Sequence, residues 1–219
     1  MSEAPKKLVQ VLMAHGALAE SELKPLVDQI YGRDFSLEEI GDLTSQVAAT
    51  IQPYSLDIKS TVYDDGNVYY GLINTSNDEI TKLSNTFKPW EIVLFRKAIE
   101  YIAETDDGEL DHHDFLNMRE ANSTNDVKAL LARLYAEKWL APSMLTDTQA
   151  TLGPRVFLEL AVFLRDMGIT QCGVCSSDAL QSVRCTTPSC PTRVHESCLA
   201  KYERNGRKFK CAPCKKVLR

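Results

Sequence analysis

Residues 172–214 read CGVCSSDALQSVRCTTPSCPTRVHESCLAKYERNGRKFKCAPC, and they hold all seven cysteines of the chain and one of its four histidines. Written by position, the string is Cys172-x2-Cys175-x9-Cys185-x4-Cys190-x4-His195-x2-Cys198-x12-Cys211-x2-Cys214. Zinc takes four thiolate or imidazole ligands in a tetrahedron, and a C-x2-C turn sets two sulfurs on one side of the ion. Eight ligands in four pairs therefore make two closed, structural sites. A set of unrelated reduced thiols gives no reason for the same pair spacing at both ends. Such clustering points to metal rather than to a disulfide framework, because the rest of the chain lacks cysteine altogether. A tail this short buries little apolar surface, so the metal must supply folding free energy, on the order of 10 kcal/mol or more per site.

Charge divides at the same place. Residues 1–170 carry 15 Lys+Arg against 27 Asp+Glu, a net −12, whereas 171–219 carry 10 against 3, a net +7. Seven thiolates and two zinc ions would bring the tail to about +4, still basic. Lys201, Arg204, Arg207, Lys208 and Lys210 crowd one stretch of it, as a solvated face or as a surface for an acidic partner. With 44% hydrophobic and 25% charged residues among 219, the composition is that of a globular protein, not of a disordered or fibrous one. No apolar run reaches the roughly 18–20 residues that cross a bilayer, and Met1 to Gln10 is not followed by a signal-type core. The expectation is an intracellular chain with no membrane partner.

Before the tail, helices and ribbons alternate. Leu8, Val9, Leu12 and Met13 set one amphipathic helix, Leu23, Leu26, Val27 and Ile30 a second, and Leu37, Ile40, Leu43, Val47 and Ile51 a third. Gly16 and Gly32 fall where the first two stop, and Ser36 with Glu39 forms a capping box opening the third. After Pro53 the period changes to two, with Leu56, Ile58 and Val62, the turn Asp64-Asp65-Gly66-Asn67, and Val68, Tyr70 and Leu72 returning. Three helices and a β-ribbon make a winged helix. Residues 74–88 are polar and read as a linker.

The same order then recurs. Pro89 opens a helix carrying Ile92, Phe95, Ile99 and Ile102, a short helix runs around Leu110 to Met118, and Ser123-x-x-Asp126 caps a third with Val127, Leu130, Leu131 and Leu134. Trp139 to Leu145 and the segment near Thr151 predict wing strands, although Pro142 weakens the ribbon. Gly153-Pro154 predicts one more helix through Val156, Leu160, Phe163 and Met167 to Gly168. The expected fold class is α+β: a winged helix over 1–75, a second over 76–168, and a small two-metal module over 169–219. Val9, Leu12, Tyr69, Phe95 and Leu158 are apolar positions that belong either to core or to a partner interface.

Neither unit looks like a DNA reader. The third helix of a winged helix enters the major groove and needs cations for phosphate, yet Leu37 to Ile51 carries Glu38, Glu39 and Asp42 and no Lys or Arg. In the second unit Lys128, Arg133 and Lys138 sit five apart, each rotated about 140° from the last, and form no stripe. Direct DNA binding is expected to be weak or absent. Asp111-His112-His113-Asp114 is a polar turn rather than a metal site, and Thr105-Asp106-Asp107-Gly108 is a helix stop, since a calcium loop aligned on Gly108 would begin at Ala103.

The C4HC3 order of the tail resembles the RING-variant class of zinc fingers and equally the PHD class. Both interleave their ligand pairs, which implies one zinc on Cys172, Cys175, His195 and Cys198 and another on Cys185, Cys190, Cys211 and Cys214. RING-type domains grip a ubiquitin-conjugating enzyme with an apolar residue between the first two ligands and a cation after the eighth, places held here by Val174 and Lys215. PHD fingers read histone tails and carry an aromatic two residues before the seventh ligand, where Phe209 sits.

Acidic tandem winged helices followed by this string resemble one family, the non-SMC element one subunits of the SMC-type complex of DNA repair. The resemblance covers the whole chain. It implies a nuclear protein in chromosome maintenance, DNA damage repair and recombination, with a MAGE-type tandem winged-helix partner, a kleisin subunit and the SMC-type complex around it. It also implies two structural zinc ions and a cross-brace RING-like domain acting as an E3 ubiquitin ligase without a covalent intermediate, helped by the MAGE-type partner. The alternative is a non-catalytic scaffold or a PHD-like histone-tail reader. One departure from RING ligases is that Ala212, not proline, follows the seventh ligand, with Pro213 one place later.

Overall fold

The computed structural model describes residues 3–75, 87–204 and 206–218. Helix α1 (Glu3–His15) stops at Gly16, whose φ of +69° costs a glycine nothing, and its N–H closes on the Leu12 carbonyl at 2.9 Å. Strand β1 (Ala17–Ala19) follows before α2 (Glu20–Tyr31) begins. The sequence pattern passes directly from one helix to the next here, because three small apolar residues are too few to show a period of two. Helix α3 (Leu37–Ile51) opens on the expected box, with Ser36 Oγ accepting the Glu39 N–H at 3.1 Å and Glu39 Oε2 accepting the Ser36 N–H at 2.8 Å. Strands β2 (Leu56–Val62) and β3 (Val68–Asn74) pair antiparallel with Leu56 opposite Asn74 and Val62 opposite Val68, and β1 adds to the far edge of β3.

The second unit repeats the order with α4 (Pro89–Glu104), α5 (His112–Asn117), α6 (Thr124–Ala136), β4 (Leu140–Pro142) and β5 (Ala150–Leu152). Pro142 ends β4 in a two-stranded ribbon, where a missing N–H is tolerated. The single helix expected from Gly153 to Gly168 is instead two short ones, α7 (Pro154–Glu159) and α8 (Ala161–Asp166), broken at Leu160 with φ −117° and ψ 24°. The break follows burial: α7 is covered nearly all round, with Pro154, Val156, Phe157 and Leu158 buried, while α8 buries only Leu164. No single straight helix could carry both patterns on one face. Most of the expected linker, residues 76–86, lies outside the described residues.

Leu12 and Phe95 are fully buried and Leu158 nearly so, which makes all three core, whereas Val9 and Tyr69 are half-buried at its edge. The first unit packs Leu8, Leu12, Leu23, Val27, Ile40 and Val47 into its own core. The core of the second gathers Phe95, Phe115, Leu134, Trp139 and Leu152, and extends beyond the unit to Tyr63 on one side and Leu180 on the other. Tyr63, just past β2, donates its buried hydroxyl to the Leu152 carbonyl at 2.7 Å. Val62 meanwhile packs on the core of the cysteine-rich module. The tip of the first hairpin is thus wedged between the other two parts.

The cysteine-rich module is built from β6 (Thr170–Gln171) paired with β7 (Asp178–Ala179), β8 (Val183–Arg184) paired with β9 (Arg193–Val194), and α9 (Glu196–Glu203). Its apolar core is small: Ala179, Val194, Leu199, Phe209 and Leu218 beside the cysteines.

Candidate metal centres

The eight candidate ligands come together as two groups of four, Cys172, Cys175, His195 and Cys198 in one and Cys185, Cys190, Cys211 and Cys214 in the other, with the atoms that could bind an ion in each group all within 4.8 Å of one another. These are the interleaved sets. Among the described residues no other group of His, Cys, Asp or Glu side chains gathers in this way. No cysteine is in a disulfide.

Local backbone explains how each pair is presented. In the first, Cys172 and Cys175 sit on a tight turn after β6, where Val174 N–H points at Cys172 Sγ at 3.4 Å and Ser176, at φ +62°, returns its N–H to the Cys172 carbonyl. Its partners come from the start of α9, with His195 as the N-cap and Cys198 in the first turn. Helix N-termini favour negative charge, so a Cys198 thiolate held on an ion would stand on the right end of α9. In the second group Cys190 follows Ser189 at φ +61°, and Cys214 precedes Lys215 at φ +58°. Three non-glycine residues in the left-handed region, each beside a ligand, are strain of about 1–3 kcal/mol apiece that a bound ion is well able to hold.

The distances suit a tetrahedral ion. With bonds of about 2.3 Å to sulfur and 2.0–2.1 Å to nitrogen, neighbouring ligand atoms should stand about 3.6–3.8 Å apart. Cys175 Sγ and Cys198 Sγ lie 3.3 and 3.8 Å from His195 Nδ1, and Cys190 Sγ lies 3.5 Å from Cys211 Sγ. The residues present therefore fit zinc. Electrostatics agrees. Burial raises the Cys172 thiol, but hydrogen bonds from His195 and from nearby backbone outweigh it and bring the thiol down to about 6. Burial and the negative charge of Cys172 and Cys175 push Cys198 up to about 12. Thiols so close cannot all ionise against one another unless a cation sits among them.

The histidine uses both nitrogens. Nδ1 faces the sulfurs, while Nε2 lies 3.3 Å from the carbonyl of Asp178 and 3.4 Å from Oδ1 of Asp64, at the tip of the β2–β3 hairpin. Asp64 is 5% exposed and accepts the backbone N–H groups of Leu180 and Gln181. Sequence reasoning missed it. Asp64-Asp65-Gly66-Asn67 reads as an ordinary hairpin turn, and no local signal announces a contact with a residue so far along the chain.

The remaining expected site residues stay apart from the ligand groups or at their rim. Val174 is 40% exposed between the first two ligands, and Lys215 is exposed after the eighth. Phe209 is buried, packed edge-on against Tyr202 at 5.5 Å, and so belongs to the module's core rather than to an open pocket. Lys201, Arg204, Arg207, Lys208 and Lys210 are all exposed. His112 Nε2 meets the Tyr135 hydroxyl at 2.8 Å and Asp111 caps α5, which gives that polar run a structural use.

Residues 5–126 match the family model described as the Nse1 non-SMC component of the SMC5-6 complex, and residues 172–214 match a RING-like domain. The chain belongs to the Nse1 family. Non-structural maintenance of chromosomes element 1 homologs from Homo sapiens and Rattus norvegicus are 27% and 26% identical over 226 residues, covering 98% of this chain and 83% of theirs. The Schizosaccharomyces pombe protein of that name is 28% identical over 110 residues, covering 49% of this chain and 46% of its own. A solved chain in a structure titled "Nse1-Nse3-Nse4 complex" superposes with a TM-score of 0.78 at 26% identity, covering all of this Nse1-family chain and 97% of its counterpart.

Proposed function

We propose that this chain is the RING-type ubiquitin ligase subunit of a nuclear SMC5-6 complex in DNA repair, with its winged helices docking a MAGE-type partner and a kleisin. The observation that carries the assembly is the whole-length likeness to a chain solved in a complex with Nse3 and Nse4. In this reading the acidic winged helices are a protein-docking platform, and the eight ligands hold two structural zinc ions, whose contribution is to fix the module's shape.

A RING-type ligase supplies no nucleophile and no general base. It holds the charged conjugating enzyme and its thioester-linked ubiquitin in an attack-ready pose, an effect of positioning. The exposed Val174, on the turn that presents Cys172 and Cys175, offers the apolar contact, and the exposed Lys215, directly after Cys214, offers a cation to bridge the two proteins. The test is ubiquitin discharge from a panel of charged conjugating enzymes, with and without the MAGE-type partner. Val174→Ala and Lys215→Ala should each cut stimulation about tenfold, as loss of a central interface contact of ~1–2 kcal/mol does, while zinc content and partner binding persist.

A scaffold without ligase activity is the second reading, favoured by Ala212 in the place where RING ligases carry proline. Absence of discharge with every conjugating enzyme, in the assembled complex, would establish it. Burial of Phe209 leaves the histone-reader alternative without an exposed aromatic at that position.

A further inference from the structure

We propose that Asp64, carried by the winged-helix hairpin, is a positioning residue for the first metal site, acting on its histidine ligand and not on the ion. The inference is independent of ligase activity and rests only on the zinc reading of that site.

Three observations meet at this side chain. Its Oδ2 accepts the Gln181 N–H at 2.9 Å, and both oxygens lie 3.2 Å from the Leu180 N, so the carboxylate pins the segment directly after β7. That strand supplies the Asp178 carbonyl, which faces His195 Nε2 at 3.3 Å. The carboxylate itself adds a negative charge 3.4 Å from the same nitrogen. Asp64 thus holds the neutral acceptor in place and supplies the charged one. Together they keep the hydrogen on Nε2 and leave the Nδ1 lone pair directed at the three sulfurs.

A metal-bound imidazole whose other N–H is held by oxygen is fixed in tautomer and orientation and is a better donor, and loss of such a partner typically costs 10–100-fold in metal affinity. Here the partner stands 131 positions before its histidine, in a different structural unit. Burial raises the Asp64 carboxyl, and the Gln181 and Leu180 N–H groups, with a smaller part from the Arg193 cation that donates to the Leu180 carbonyl at 2.6 Å, work against that rise. Metal retention and hairpin docking are therefore one equilibrium, and each must strengthen the other by the same factor.

The experiment uses the full chain, loaded with zinc, and follows metal release to an excess of a chromogenic chelator. Cadmium NMR on the exchanged protein separates the three-sulfur, one-nitrogen site from the four-sulfur site. Asp64→Asn keeps the shape and one oxygen but removes the charge, and Gln181→Ala is the control. The Gln181 side chain bonds the Asp107 carbonyl, Ser143 and the Met144 N–H, all in the second unit and not in the hairpin, without touching His195. In Asp64→Asn one zinc of two should leave about 10–100-fold faster, with only the nitrogen-containing site's resonance displaced, whereas Gln181→Ala should leave both sites at wild-type rates. Should Asp64→Asn not fold, Asp64→Ser is read in the same way. Wild-type release from Asp64→Asn, or equal acceleration of both zincs in it and in Gln181→Ala, would overturn the proposal. Wild type lacking metal at the nitrogen-containing site would overturn the zinc reading beneath it, an outcome seen before any variant is made.

Discussion

Up to Gly168 the chain buries Leu12, Phe95, Phe115 and Trp139 in continuous apolar cores, whereas the RING-like module counts four cysteines among its nine buried core residues. Removing apolar area from water stabilises by roughly 25 cal/mol per Å², so the winged helices hold themselves, and the module does not. The difference teaches where each part is vulnerable. A core residue lost from the body leaves a cavity, while one of the eight Cys and His side chains lost from the module would leave a bound ion without its cage.

Chelation should break this contrast most visibly. Stripping zinc removes on the order of 10 kcal/mol or more per site, enough to unfold the RING-like module outright, while the helices before it persist. Hydrogen exchange read by segment should show protection lost over 172–214 and kept in α3 and α4. Cys211→Ala should do the same more narrowly, releasing about one zinc per chain by elemental analysis, with the helical circular dichroism of the body intact. Wild type with fewer than about two zincs would refute the comparison at its root.

The reverse substitution sharpens it. Phe95→Ala, at a fully buried position, should cost about 3–5 kcal/mol in denaturant unfolding of the body, with zinc content unchanged. Smaller again is the seam. Tyr63→Phe leaves the Leu152 carbonyl without its buried partner, at a cost of about 1–3 kcal/mol, and should loosen the hairpin tip from the second unit without moving either core. The smallest expected signal is DNA binding by the body. With a net charge of −12 and no cation on α3, residues 1–170 should bind duplex weakly and without sequence preference at physiological salt. Tight selective binding would overturn the docking-platform reading.

Legibility followed the same division. All eight metal-binding candidates could be read directly, because ligand chemistry demands particular residue types at particular spacings, and the structure groups them without remainder. Helices α3, α4 and α6 were legible from period and cap: Ser36 and Ser123 each accept the N–H three residues on. What escaped were features decided by neighbours. Ala17–Ala19 becomes a strand only because β3 offers it an edge, with Gly71 opposite Ala17 and so close that a side chain there would meet the Gly16 carbonyl. The break at Leu160 answers to packing on both sides of α7, and Asp64 acquires its role from groups more than a hundred positions away.

The wedged hairpin tip also bears on the order of folding during synthesis. Val62 and Asp64 leave the ribosome well over a hundred residues before Ser177, Leu180 and His195, and Tyr63 leaves it 89 residues before Leu152. At a synthesis rate of roughly 5–20 residues per second those partners emerge seconds after the hairpin can form in microseconds, so the tip waits with its apolar Val62 and Tyr63 uncovered. The turn Asp64-Asp65 sets two acidic side chains at the apex of that waiting surface, and charge at an exposed edge disfavours pairing with another chain.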